Sequence, residues 1–104
     1  PIEDFGKLDL RVATIEKAER VPKTDKLMKI TVKVGEEERT IVSGIAQYYT
    51  EEDLPGKNVV VIANLKPAKL KGIESRGMLL AASDGQGHLV LVEAPGISSG
   101  SKVK

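Results

Sequence analysis

The sequence predicts an all-β chain that closes into one small barrel, and three observations predict it. Apolar and polar residues alternate at period two, most cleanly where Met28, Ile30, Val32 and Val34 interleave with Lys29, Thr31 and Lys33. Clusters of Gly, Pro and Asp interrupt the chain before a long helical period can develop. Later runs at 59–63, 78–82 and 89–92 are apolar at every position, the pattern of strands buried on both faces. At 104 residues there is enough chain for one core and too little for two, so residues 1–104 are expected to form a single domain.

Residues 8–21 alternate at Leu8, Leu10 and Val12, then change phase at Ile15 and Ala18. That predicts a long first strand bent by a bulge near Ala13 and Thr14. Val21-Pro22-Lys23-Thr24-Asp25 supplies turn chemistry, and residues 28–34 form the second strand. Gly35 opens a hairpin turn through Glu36, Glu37 and Glu38, after which residues 39–43 form the third strand. The alternation then stops. Ile45, Ala46, Tyr48 and Tyr49 fall at helical spacing with Thr50 as a cap, which predicts a short helical link before Pro55-Gly56 restarts the sheet. From Gly96 the tail is rich in Gly, Ser and Lys and reads as loop or a loosely held end.

A long bent strand, two more in a meander, a short helix, then further strands is the element order of the five-stranded oligonucleotide-binding (OB) barrel, here with a C-terminal extension. A small SH3-like barrel is the runner-up. The continuous apolar runs must be covered on their second face, either by the C-terminal extension or by a second subunit, and a homodimer satisfies this simply.

Composition narrows the chemistry. Cysteine is absent, which excludes disulfides, thiol nucleophiles and thiolate metal sites. No apolar run approaches the roughly 20 residues of a membrane span, and the N-terminus lacks a signal-peptide layout, so a cytoplasmic protein without membrane contact is expected. The first residue is Pro1, consistent with a removed initiator or with a piece of a longer chain. The single histidine, His88, stands in a glycine-flanked turn and reads as a solvated loop residue. The acidic runs Glu36-Glu37-Glu38 and Glu51-Glu52-Asp53 lack calcium-loop spacing and a partner histidine, and no phosphate-binding loop is present. No catalytic residue, metal or cofactor is expected.

Charge is placed unevenly. Residues 1–56 carry 9 basic against 12 acidic side chains, a net of −3, and residues 57–104 carry 7 against 3, a net of +4. Within the second half, Lys66, Lys69, Lys71 and Arg76 fall inside eleven residues opposed only by Glu74, in a segment punctuated by Pro67, Gly72 and Gly77. Asn64 and Ser75 add neutral donors, and Met78 stands where a strand should begin, placed to lie against a base or sugar. This mixture suits a nucleic acid. The aromatics are Phe5, Tyr48 and Tyr49, none in a predicted barrel-face strand, so recognition is expected to rest on phosphates, hydroxyls and RNA shape rather than on stacking.

Asp9-Leu10-Arg11-Val12, Asp25-Lys26-Leu27, Ile41-Val42-Ser43-Gly44-Ile45, the run from Val61 to Leu70 and the run from Glu74 to Ala82 together span nearly the whole chain. In these segments the sequence resembles the tRNA-binding domain found at the C-terminus of methionyl-tRNA synthetases. Similar domains occur as free-standing tRNA-binding proteins and in cofactors of multi-synthetase complexes. The resemblance implies an OB fold, homodimerisation, and shape-directed tRNA binding without catalysis, with a synthetase catalytic domain in cis where the chain is part of such an enzyme. It implies tRNA contacts at Asn64, Lys66, Lys69, Ser75, Arg76 and Met78, and further at Arg11, Lys33 and Ser43. Arg76 stands where the family's Ser-Gln-Gly-Met element carries Gln, and Val21 and Thr24 replace a frequent His and Ala. Two other readings of the same residues are a free-standing tRNA-binding protein and a dimerisation or docking module with incidental RNA contact.

Overall fold

The first strand, β1 (Leu10–Arg20), sets the architecture because it pairs with two partners along its length. Its first half pairs antiparallel with β4 (Asn58–Ile62), from Leu10 opposite Ile62 to Thr14 opposite Asn58, and its second half pairs with β2 (Met28–Val34) as far as Arg20 opposite Met28. The register slips by one residue between Ile15 and Lys17. The bulge therefore falls at Glu16, later than the expected Ala13 and Thr14, because both of those residues stay in register with Val59 and Asn58. One inserted residue reverses the inward set from Ala13 and Ile15 to Ala18, which explains the change of phase in the sequence.

The computed structural model describes residues 2–104. It is predominantly β, with one five-residue helix, α1 (Ile2–Gly6), that the sequence reading did not anticipate. A curled six-stranded sheet runs β3 (Glu37–Ser43), β2, β1, β4, β7 (Met78–Leu79), with β10 (Lys102–Val103) also on β1. Two short hairpins, β5 (Ala68–Leu70) with β6 (Ile73–Ser75) and β8 (Ala81–Ser83) with β9 (Leu89–Leu91), complete it. Ten strands stand where five were expected. The cationic loop folds into a hairpin, the run at 78–82 is divided at Leu80, and the tail adds β10.

Ile15, Met28, Ile30, Val32, Ile41, Leu54, Val59 and Val61 form the centre of the main core, each no more than 1% exposed. β4 is buried on both faces, as its continuous apolar run requires. Val59 and Val61 enter that core, while Val60 and Ile62 enter a second cluster with Leu10, Leu80 and Val103. The chain's own C-terminal extension thus covers the second face of β4. The runs at 78–82 and 89–92 differ: Leu79 and Leu91 are buried, but Met78 (51%), Val90 (59%) and Val92 (39%) stand open.

Two expectations are overturned locally. The segment between β3 and β4 holds turns and no helix. Tyr48 and Tyr49 donate to the Ile45 carbonyl, and Thr50 and Asp53 cap one another reciprocally (3.1 and 3.3 Å), but Pro55-Gly56 follows too soon for a second helical turn. The tail is not loose. Gly100 N donates to Val12 O at 2.7 Å, Val12 N to Ser101 O at 2.9 Å, and the Ser99 hydroxyl bridges Lys33 O and Gly35 N. Gly100 and Gly35 meet backbone to backbone: a Cβ at Gly100 would lie 2.9 Å from Gly35 Cα, at a φ of +89°. Gly100→Ala is therefore expected to cost about 2 kcal/mol, a fall in Tm on the order of 10 °C, measured by thermal unfolding.

Candidate nucleic-acid interface

Between β4 and β7 the chain leaves the sheet and returns, and in between it forms the β5–β6 hairpin. Leu70 pairs with Ile73 across a two-residue turn in which both central residues have positive φ, Lys71 at +51° and Gly72 at +80°. That is the backbone of a type I′ turn, whose twist matches that of the strands it joins. The hairpin then runs along the free edge of β3. Arg76 N donates to Thr40 O at 2.8 Å and the Ser75 hydroxyl accepts from Val42 N at 2.9 Å. The return passes so close to the sheet that a Cβ at Gly77 would lie 3.0 Å from Ile62 O and 3.3 Å from Ile41 Cδ1.

The base of the loop is clasped by a residue that sequence reasoning missed. Arg39, on β3, donates from one guanidinium nitrogen to Ala63 O at 2.6 Å and to Arg76 O at 3.4 Å, so one side chain ties together the residues on either side of the hairpin. Glu37 holds that guanidinium at 3.0 Å and lies 3.7 Å from Arg76. Arg39 carries no sequence signal beyond a charge after an acidic run. Its role follows from the curl that brings Ala63 and Arg76 to the same edge.

The nine expected residues separate into braces and surface. Asn64, itself exposed, braces the loop through one acceptor and one donor bond, Oδ1 accepting from Asp9 N (2.9 Å) and Nδ2 donating to Lys7 O (2.6 Å). Ser75 is 5% exposed, its hydroxyl shared between Val42 N and Gly77 O, so it fixes the hairpin to the sheet. Arg11 is held by Asp9 at 2.7 Å and by Gly100 O at 3.2 Å, which makes it an anchor for the tail. Lys33 and Ser43 are half-buried on β2 and β3, opposite Glu38 and Met28 respectively. Lys66, Lys69, Arg76 and Met78 are exposed together on the hairpin and its return, with Lys71 at the tip. Lys66, Lys69 and Lys71 enter no ion pair among the described residues, although Glu74 faces Lys69 across the hairpin.

Elsewhere, His88 Nδ1 lies 2.6 Å from Asp84 on an exposed turn. The Gln86 amide and His88 hold the Asp84 carboxyl below its ordinary pKa, which makes the pair a turn brace. Asp53 is lowered in the same way by its bonds to Thr50. Among the described residues no group of three or more His, Cys, Asp or Glu could hold a metal ion, and no helix is long and apolar enough to cross a membrane.

Comparison with known proteins identifies the family of the chain. A family model described as "Putative tRNA binding domain" matches residues 10–102. A methionine–tRNA ligase of Deinococcus radiodurans is 56% identical over 104 residues, covering 99% of this chain and 15% of the ligase. One from Archaeoglobus fulgidus is 52% identical over 102 residues, covering 98% of this chain and 16% of the ligase. The chain thus spans about one-sixth of the length of the ligases it matches. Among solved structures, a MetRS related protein from Pyrococcus horikoshii superposes with a TM-score of 0.93 at 40% identity, covering 100% of this chain and 96% of that one. The chaperone CsaA from Bacillus anthracis superposes with a TM-score of 0.90 at 28% identity, covering 100% and 97%. By extent of match and by identity, the chain belongs to the tRNA-binding domain family whose model spans residues 10–102.

Proposed function

We propose that residues 1–104 form a single OB-fold domain that binds folded tRNA by its phosphate backbone and performs no catalysis itself. Attached to a methionine–tRNA ligase in the cytoplasm, it raises the local concentration of tRNA at the aminoacylation site. The observation that carries this reading is the set of exposed, internally unpaired cations Lys66, Lys69 and Lys71 on a hairpin whose base is clasped by Arg39. Lysines on a fixed support are placed for phosphates before RNA arrives, and Arg76 and Met78 extend the same surface. Asn64, Ser75 and Arg11 serve the site by holding its frame.

The curled sheet, with β1 shared between two partners and a hairpin closing on the β3 edge, supports the OB assignment. The open apolar side chains Val90 and Val92 support association of two copies of the chain, which would join two ligase chains. A free-standing tRNA-binding protein is the second reading, favoured by the near-complete coverage of the Pyrococcus horikoshii protein and CsaA.

Removing charge and loosening its support are expected to differ. In Lys66→Ala/Lys69→Ala, affinity for folded tRNA should fall at least tenfold and the log–log salt slope should become shallower by about 2, while the sedimentation coefficient stays unchanged. Unaltered tRNA affinity in that variant would refute the hairpin as the contact surface. Arg39→Met should lower stability by about 1–3 kcal/mol, because it strips the bond from two carbonyls, and weaken tRNA binding with less change of slope. Urea unfolding and polarisation titrations read the two effects separately.

A further inference from the structure

The cations of the hairpin and its return are not equivalent. Lys66, Lys69 and Lys71 enter no ion pair among the described residues, whereas Arg76 does, its Nη2 lying 3.7 Å from Glu37 Oε2. The other oxygen of the same carboxylate, Oε1, is 3.0 Å from both Nε and Nη2 of Arg39. Among the described residues Glu37 is the one carboxylate that pairs with two cations. Its two partners differ in burial: the Arg39 side chain is 17% exposed and the Arg76 side chain 46%.

Hydrogen bonds decide which of the two pairs can open. Arg39 is committed, because it also donates to Ala63 O and Arg76 O. The backbone of Arg76 is held on both sides, its N–H by Thr40 O at 2.8 Å and its carbonyl by Arg39, so rotation about its side-chain bonds is the freedom it keeps. A half-exposed pair at 3.7 Å contributes little to stability and breaks readily. A phosphate offers the guanidinium two oxygens in the fork geometry it prefers, and Glu37, with one oxygen committed to Arg39, does not.

We infer that Glu37 stands in for a phosphate in the free protein: it holds Arg76 back on the β3 edge and yields it to the RNA backbone on binding. The inference rests on the tRNA-binding reading above and adds to it a residue that attenuates affinity. Glu37 keeps Arg39 when it gives up Arg76, so the exchange orphans no charge and the clasp at the base of the hairpin stays shut. The three lysines meet no ion-paired competitor. Arg76 therefore adds to affinity only what a phosphate gains over Glu37.

Four variants test this beside the unaltered protein: Glu37→Gln, Arg76→Gln, the two combined, and Glu38→Gln. The last is a charge-matched control, since Glu38 is the next residue of β3, points to the other face and enters no ion pair among the described residues. Each is titrated with folded tRNA across a salt series. Glu37→Gln should bind about threefold more tightly, with a salt slope steeper by up to about 1, because Arg76 then meets phosphate without a rival. Arg76→Gln should cost about twofold in the parent and about sixfold in Glu37→Gln, a coupling that a brace acting on Arg39 alone would not produce. Glu38→Gln should stay within about 1.5-fold of the parent. Unchanged or lowered affinity in Glu37→Gln overturns the exchange, as does a gain that survives Arg76→Gln or is matched by Glu38→Gln, and each of these leaves the hairpin lysines standing. No binding of tRNA by the unaltered protein removes both readings together.

Discussion

The structure depends on one strand pairing with two neighbours of a single curled sheet along its length. Thr14 sits at the junction, opposite Lys33 on one side and Asn58 on the other, with its hydroxyl bonded to the Asn58 side chain at 2.7 Å. Immediately beyond it, the extra residue at Glu16 lets the strand turn from β4 toward β2 without losing either ladder. Both halves of β1 then bury apolar side chains, each fully buried one contributing about 1.5–3 kcal/mol. The N-terminal half is covered on a second face by Val103 and the tail backbone. Without the bend the sheet would present β3 to solvent as an open edge. With it, that edge meets Ser75 and Arg76, and the cationic hairpin acquires a fixed base.

Arginine and lysine divide the work of that region by their chemistry. Arg39 is largely buried and donates in a plane to two carbonyls and a carboxylate, a task suited to a guanidinium with several donors in fixed geometry. Lys66, Lys69 and Lys71 are exposed point charges on flexible stems. Glu37 links the two sets, because it orients Arg39 while tempering Arg76 from 3.7 Å. A phosphate approaching Arg76 therefore competes with an ion-paired carboxylate, whereas the three lysines enter no ion pair among the described residues and only Lys69 has a carboxylate, Glu74, opposite it.

Periodicity located β1 to β4 to within a few residues because each is long and its side chains alternate or are wholly apolar. It failed where tertiary contact decides structure. Glu37 and Glu38 read as turn residues yet pair with Val34 and Lys33 once Gly35 and Glu36 have closed the hairpin. The tail looked mobile by composition, but its glycines are what allow it to lie on Gly35 and β1. At the candidate site the charges were visible and their supports were not. Asn64 and Ser75 look like ligand donors in the sequence, and only the folded chain shows that Asn64 also bonds the Asp9 amide and the Lys7 carbonyl and that Ser75 is buried against the Val42 amide.

The placement of the three aromatic rings bears on recognition. Tyr49 is turned inward, its hydroxyl accepting from Leu91 N at 3.0 Å, while Tyr48 lies outside the strands and Phe5 on α1. Among the described residues no strand carries an aromatic ring, and on the proposed reading contact falls to phosphate and sugar, which carry no base identity. On that reading discrimination comes from spacing. The loop clasped at its base by Arg39 carries its exposed cations on a hydrogen-bonded support. A flexible strand can satisfy such a pattern only by giving up conformational freedom, whereas a folded RNA with the matching backbone path does so without that loss. In the proposed tRNA-binding role, shape selectivity follows from the bonded support of the cations as much as from their charge.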